Sequence, residues 1–202
     1  MEIETLLKAA EKLTPPSSRR KKRHPYTIDF MLAIWHNLNL SQPLRASVFV
    51  CLTTCFFATG CVREFMVQKL DGFNPIIHVL KACVSYNQTQ EGQKVTVLHI
   101  PCTKVSQQGE NMCWAAQEGA IDPDMALAHH LETNNPAATH HLFTYHHKNG
   151  HWPLTKSKFL AELAKAMHAA GLDPLQGHGI RIGSTLEYLL RGIPFNVMKV
   201  KG

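Results

Sequence analysis

A chain of 202 residues, 45% of them hydrophobic, can bury one sizeable core and has room for one domain with a short appendage, or two small domains at most. A formal net charge of +6 and a pI near 9.1 favour an anionic partner, with nucleic acid ahead of a membrane surface because no strongly basic amphipathic helix stands out. The longest apolar stretch, Ala46 to Cys61, is interrupted by Ser47, Thr53, Thr54, Thr59 and Gly60, and the opening MEIETLLKAAEKL is acidic and amphipathic. A transmembrane span and a secretory signal are therefore not expected.

In chain order, residues 2–13 read as a short helix with Ile3, Leu6, Leu7 and Ala10 on one side. TPPSS breaks it, and the run Arg19, Arg20, Lys21, Lys22, Arg23 follows before Pro25. Residues 1–24 are thus expected to be a helical remnant with a basic linker, and 25–202 the main domain. The cationic run is open to three readings: a solvated linker, a phosphate-gripping arm, or a nuclear import signal. Thr27 can cap a helix carrying Ile28, Met31, Leu32, Trp35 and Leu38, and Ser41 with Pro43 starts a second helix through the apolar Val48–Phe57 segment. After a bend at 59–61 the segment 64–70 is expected to resume helically. HVLKACVSY (78–86) and KVTVLHI (94–100) read as an antiparallel pair, with 112–115 as a short third strand. Helices are expected over 122–132, 155–170 and 180–190, with another opening at Pro194. The expected fold class is mainly α with a small antiparallel β-sheet, an α+β arrangement.

Six cysteines could form bridges, but three lie in the apolar helical run and the domain is large enough to stand without staples. Reduced thiols in an intracellular protein are expected. Thirteen histidines suggest metal, yet neighbouring histidines on a strand point to opposite faces, and neither HExxH nor a close CxxC pair occurs. No metal site is expected.

Three other places carry chemistry. His178 and Arg181 sit one turn apart at the start of an expected helix, where backbone N–H groups and the positive dipole end also favour an anion. The same pair could equally be a turn residue and a surface ion pair. Lys104 lies on a strand-joining turn, able to reach a phosphate or merely to solubilise. Arg63 and Glu64 follow the break of the apolar helix, where the arginine is either a rigid phosphodiester contact or an exposed charge.

FFATGCVREFM (56–66), HIPCTK (99–104) and GHGIRIGSTLEYLLRGIPFNVMKVKG (177–202), in that order, resemble the first-arginine, strand-lysine and histidine–x–x–arginine segments of the tyrosine recombinases. That is the phage-integrase-like family, and the likeness is strongest to degenerate integrase-like sequences of mushroom-forming fungi. The resemblance covers about 180 residues, from RRKKRHPYT onward. It implies the tyrosine-recombinase catalytic-core fold, double-stranded DNA as partner, no membrane, assembly as a homo-oligomer on DNA, no metal or nucleotide cofactor, nuclear location, and a mobile-element origin. It further implies a covalent phosphotyrosine mechanism. Arg181 and His178 would stabilise the phosphorane, Lys104 would protonate the leaving oxygen, and Glu64 would support the site.

Two departures are visible. Three residues before Glu64, where the family carries its first arginine, stands Cys61; Arg63 is the nearest cation. The family's nucleophilic tyrosine has no counterpart up to Gly202, so the sequence reads as truncated before it. Tyr188 shares a helix with Arg181 and is expected to pack its ring on the core with its hydroxyl in solvent. The expected function is a recombinase-like DNA-binding domain that does not cleave and join strands as given. An active strand-exchange enzyme needing further C-terminal residues, and a domesticated protein-interaction module, are the alternatives.

Overall fold

The computed structural model describes residues 24–103 and 106–201, together with Ile3, Thr5, Leu13 and Pro15, and residues 199–201 by their backbone only. The run Arg19–Arg23, the body of the expected 2–13 helix, and Lys104 lie outside the described residues. Among them are six helices: α1 (Ile28–His36), α2 (Pro43–Phe57), α3 (Pro123–Asn134), α4 (Lys156–Ala169), α5 (His178–Leu190) and α6 (Phe195–Lys201). A sheet of β1 (Val84–Gln88), β2 (Lys94–Ile100) and β3 (Glu110–Ala115) is antiparallel in that order, and β4 (Thr144–His147) with β5 (Gly150–Pro153) forms a separate hairpin. The body is mainly helical with a small antiparallel sheet, the α+β architecture expected from the sequence.

The centre is α2. Every residue from Ala46 to Phe57 is buried, so this helix has no solvent face, as an all-round apolar pattern requires. Its polar residues are satisfied locally or at a joint. Thr53 Oγ1 turns back to the carbonyls of Phe49 and Val50 at 3.2 and 3.1 Å, and Ser47 Oγ donates to the Phe143 carbonyl at 2.9 Å. The flanking helices start where their caps allow. Thr27 Oγ1 accepts from Phe30 N at 3.2 Å, Asp122 accepts from Asp124 N at 3.1 Å ahead of Pro123, and Thr155 Oγ1 accepts from Lys158 N at 3.3 Å. Each satisfies one amide of the first turn that has no intrahelical partner.

The sheet is pinned to α3 by one carboxylate. Asp124 accepts from Thr96 Oγ1 at 2.6 Å and Trp114 Nε1 at 2.9 Å, and sits 3.3 Å from Lys94 Nζ. It therefore ties β2 and β3 to the start of one helix.

Expectations for three segments are corrected. The segment 64–70 is not helical: a single 3₁₀ turn, Val62–Glu64, leads into a run of bends. Phe65, Met66 and Val67 are consecutively buried, a pattern no single helix face can give. Val67 instead forms a bridge with Thr155, its N–H reaching the Leu154 carbonyl at 3.3 Å. Residues 78–83 carry a 3₁₀ turn, Lys81–Cys83, so the first strand begins only at Val84. The stretch 144–153, left out of any expected strand, is the β4–β5 hairpin. Its two-residue loop, Lys148–Asn149, has Lys148 in the left-handed region at φ 52°.

At its C-terminus α2 ends with Thr59 at φ 56°, a position that favours glycine and strains a β-branched residue. Gly60 N bonds back to the Cys55 carbonyl at 2.9 Å, which closes the helix. The Thr59 hydroxyl meets Ser184 of α5 at 2.9 Å, wholly buried. The strained residue is thus a tie between two helices.

Helix α5 approaches the extended segment 24–27 closely because Gly179 and Gly183 have no side chains. Tyr26 N donates to the Gly179 carbonyl at 3.0 Å, and a Cβ on Gly183 would collide with the Tyr26 carbonyl, backbone that cannot swing aside. Gly183→Ala should therefore destabilise the fold by about 1–3 kcal/mol, the usual cost of overpacking, despite alanine's better helix propensity. Chemical denaturation of the two proteins measures it. Equal or greater stability in the alanine variant would show that α5 and segment 24–27 do not lie in this contact.

Candidate functional site

The site predicted from sequence depends on where α5 begins. Gly177 precedes it with no side-chain cap, and the first turn is tightened by Gly179 N to the Gln176 carbonyl at 2.8 Å and Ile180 N to the Gly177 carbonyl at 3.2 Å. His178 is the first helical residue and is exposed; Arg181, one turn on, is half-buried. The positive dipole end of the helix and two cationic side chains together suit a phosphate oxygen.

The 62–64 turn lies alongside that first turn. A Cβ on Gly177 would stand 3.4 Å from Val62 Cγ2, ordinary contact distance. Within the turn, Glu64 is half-buried and its carboxylate accepts from Cys61 N at 3.3 Å, while Glu64 N donates to the Cys61 carbonyl at 2.8 Å. The glutamate thus closes the turn on itself. Arg63 is exposed and Cys61 half-buried. The turn that carries Glu64 and the start of the helix that carries His178 and Arg181 therefore meet at Val62 and Gly177.

Lys104 lies outside the described residues, but its flanks are organised. Thr103 N donates to the Ser106 carbonyl at 2.9 Å, Ser106 N to Thr103 Oγ1 at 3.0 Å, and Ser106 Oγ to the Gly109 carbonyl at 3.0 Å. These bonds close the base of the β2–β3 connection.

The four tyrosines of the chain divide sharply. Tyr188 does not present its hydroxyl to solvent as expected; it donates to the Phe57 carbonyl at 2.6 Å at the end of α2. Burial pushes its phenol up to about 12, so phenolate, the nucleophilic form, is scarce near neutrality. Tyr26 is buried, its hydroxyl donating to the Leu175 carbonyl at 3.3 Å, and burial raises its phenol too. Tyr145 is raised by burial and, less, by the charge of Glu162. Tyr86 stands exposed on β1 with Lys94 Nζ 4.5 Å from its ring centroid.

The histidines form packing clusters, and among the described residues no group of three His, Cys, Asp or Glu side chains could hold a metal ion. His130 is buried between two partners: its Nε2 contacts the Leu142 carbonyl at 2.8 Å, and Asn134 Nδ2 lies 3.1 Å from its Nδ1. Those partners assign the neutral tautomer with the proton on Nε2. His141 is 1% exposed, its ring set among Phe73, His78 and Phe143. Burial is the main cause that lowers His130 to about 4 and His141 to about 3.

No family model matches the sequence, and neither does any curated protein. Solved structures do. The Flpe–Holliday junction complex superposes with a TM-score of 0.59 at 12% identity, covering 99% of this chain and 50% of that one. The FLP recombinase–Holliday junction complex I gives 0.57 at 15%, covering 100% and 50%. The chain therefore has the fold of tyrosine-recombinase catalytic domains. It spans about half the length of these recombinase chains.

Because the unfolded chain takes up protons on these two imidazoles near pH 6.5 and the folded chain resists until about 4 and 3, the unfolded state binds more protons in between. Stability should be full above pH 6.5 and fall as pH drops, each imidazole adding about 1.4 kcal/mol per pH unit to the slope. His141→Phe should reduce that slope by one imidazole's share. Denaturation midpoints measured from neutral to mildly acid pH check this; an unchanged slope in the variant would place His141 in contact with water or a carboxylate.

Proposed function

We propose that this chain is a recombinase-type domain that binds duplex DNA and does not by itself cleave and rejoin strands. One observation carries the reading. The start of α5, bearing His178 and Arg181, lies alongside the 62–64 turn in a chain of net charge +6 whose fold is that of recombinases solved on DNA junctions. In this reading Arg181 and His178 grip a backbone phosphate with charge-assisted hydrogen bonds, Lys104 approaches it from the β2–β3 connection, and Glu64 holds the adjoining turn. The basic run Arg19, Arg20, Lys21, Lys22, Arg23 adds sequence-independent contacts along the duplex.

Three features support inactivity in strand cleavage. Cys61 offers no guanidinium where charge stabilisation of a phosphorane is largest, a loss of several kcal/mol in comparable sites. Arg63, beside Glu64 but exposed, is the only nearby replacement in sequence. The hydroxyls of Tyr26 and Tyr188 donate to backbone carbonyls, and an in-line nucleophile needs its oxygen free and placed against the phosphate. Such a set fits a retired recombinase lineage.

A second reading, a protein-interaction module, is favoured by one feature. Leu186, Leu189 and Leu190 on α5, Ile193 in the turn after it, and Phe195 and Val197 on α6 are all exposed. Salt separates the two. Duplex binding should have a dissociation constant of roughly 10⁻⁴–10⁻⁶ M and weaken steeply between 50 and 200 mM salt. Arg181→Ala should weaken it about ten-fold, as loss of a charged hydrogen bond does. Absent or salt-indifferent binding would favour the interaction module.

A nicked suicide duplex provides the second test. No denaturation-resistant, protease-sensitive shifted band should form. Such a band, lost on Tyr188→Phe, would identify Tyr188 as a nucleophile and overturn the inactive reading.

A further inference from the structure

A groove lies elsewhere. It encloses about 640 Å³ between the start of α2, the start of α4 and the β4–β5 hairpin, and none of its lining comes from α5 or the 62–64 turn. That volume is in the range of small-molecule sites, roughly 300–1,000 Å³. Its walls are tied together by one buried side chain. Asn134 Nδ2 donates to the Pro43 carbonyl at 2.9 Å, and its Oδ1 accepts from His146 N at 2.9 Å. The backbone carbonyl of the same residue meets His151 Nε2 at 2.7 Å. The groove is therefore held open by the fold.

Its lining mixes three chemistries. Tyr145, His147 and Trp152 supply rings, and the His147 and Trp152 centroids are 4.4 Å apart. Ser157 and Gln42 supply neutral polar groups, and Lys158 an ammonium. Glu162 is the carboxylate behind the groove, but it faces three cations: Lys165 at 2.7 Å, and Lys158 and Arg45 at 3.8 Å. Positive charge remains in surplus. Tyr145, its phenol raised by burial and by Glu162, keeps its proton and can donate it in a hydrogen bond.

An apolar peptide or lipid tail would leave Lys158 and Ser157 without use, and a bare phosphate would leave the rings without use. A nucleotide uses both. We propose that this groove binds an unpaired nucleotide of a nucleic-acid strand, with the base against the Trp152–His147 edge and the phosphate towards Lys158 and Ser157. Aromatic stacking with a nearby cation is how single strands are held without sequence preference. The partner class rests on the nucleic-acid reading above; the residues are separate from those of that reading.

The test titrates the full chain with an oligothymidylate of about eight nucleotides, the scale of one single-strand site, and in parallel with a duplex. Oligothymidylate should quench tryptophan fluorescence, and Trp152→Phe should abolish the quench. Trp152→Ala should weaken oligothymidylate binding about ten-fold, within the range for loss of one stacked base, with duplex affinity unchanged. Lys158→Glu, at an exposed position, should weaken it likewise, and it decides the matter if Trp152→Ala does not fold. Arg181→Ala should show the opposite pattern, weakening duplex binding and keeping oligothymidylate affinity. Duplex binding without oligothymidylate binding overturns the groove and leaves the duplex reading standing. Oligothymidylate binding indifferent to both groove variants also overturns it. Loss of both ligands from the unaltered chain removes both readings.

Discussion

The close approach of α5 to the extended segment at Tyr26 is the constraint on which the rest of the molecule depends. Two glycines one turn apart, Gly179 and Gly183, let backbone meet backbone, and the Tyr26 N–H and hydroxyl bond to the Gly179 and Leu175 carbonyls at 3.0 and 3.3 Å. Once α5 is seated there, Ser184 reaches Thr59 and Tyr188 reaches Phe57 at the end of α2. The position of His178 and Arg181 beside the 62–64 turn follows from these contacts. Side chains of any size at the two glycines would lift the helix and separate the residues proposed to grip phosphate.

Joints elsewhere use buried polar groups with every partner supplied. Asn134 joins α3 to the start of α2 and to the β4–β5 hairpin, and Asp124 joins α3 to β2 and β3. Satisfied networks of this kind fix one arrangement among several of similar apolar burial. His141 is the contrast. Buried among aromatic rings, it contributes ring packing and makes the fold sensitive to acid.

Residues that could have served catalysis are used in the architecture. The phenols of Tyr26 and Tyr188 hold carbonyls, and the Glu64 carboxylate closes its own turn on Cys61. A hydroxyl engaged as a donor in a buried bond must break that bond before it can attack, so stability and reactivity compete for the same atom. The apolar residues Leu186, Leu189, Leu190, Ile193, Phe195 and Val197, by contrast, are left exposed by the packing of α5 and α6.

The sequence by itself determined the helices whose signals are local. Thr27 and Thr155 cap where their hydroxyls can reach, α2 is apolar on every side, and β2 is β-branched and alternating. It also placed His178 and Arg181 one turn apart. Tertiary structure decided what those signals do not encode. Residues 64–70 look helical in composition, yet Phe65 to Val67 are buried in a row because the chain there bends inward and bridges to Leu154 and Thr155. The hairpin 144–153 turns at Lys148–Asn149, but strands of four residues rich in histidine have no period strong enough to reveal themselves. The hydroxyl of Tyr188 was expected in water because a helix pattern gives the direction of a residue and not the carbonyl it meets, and that carbonyl lies 131 residues away. Periodicity is a property of neighbours along the chain; which distant backbone group satisfies a buried donor is settled only when the helices pack.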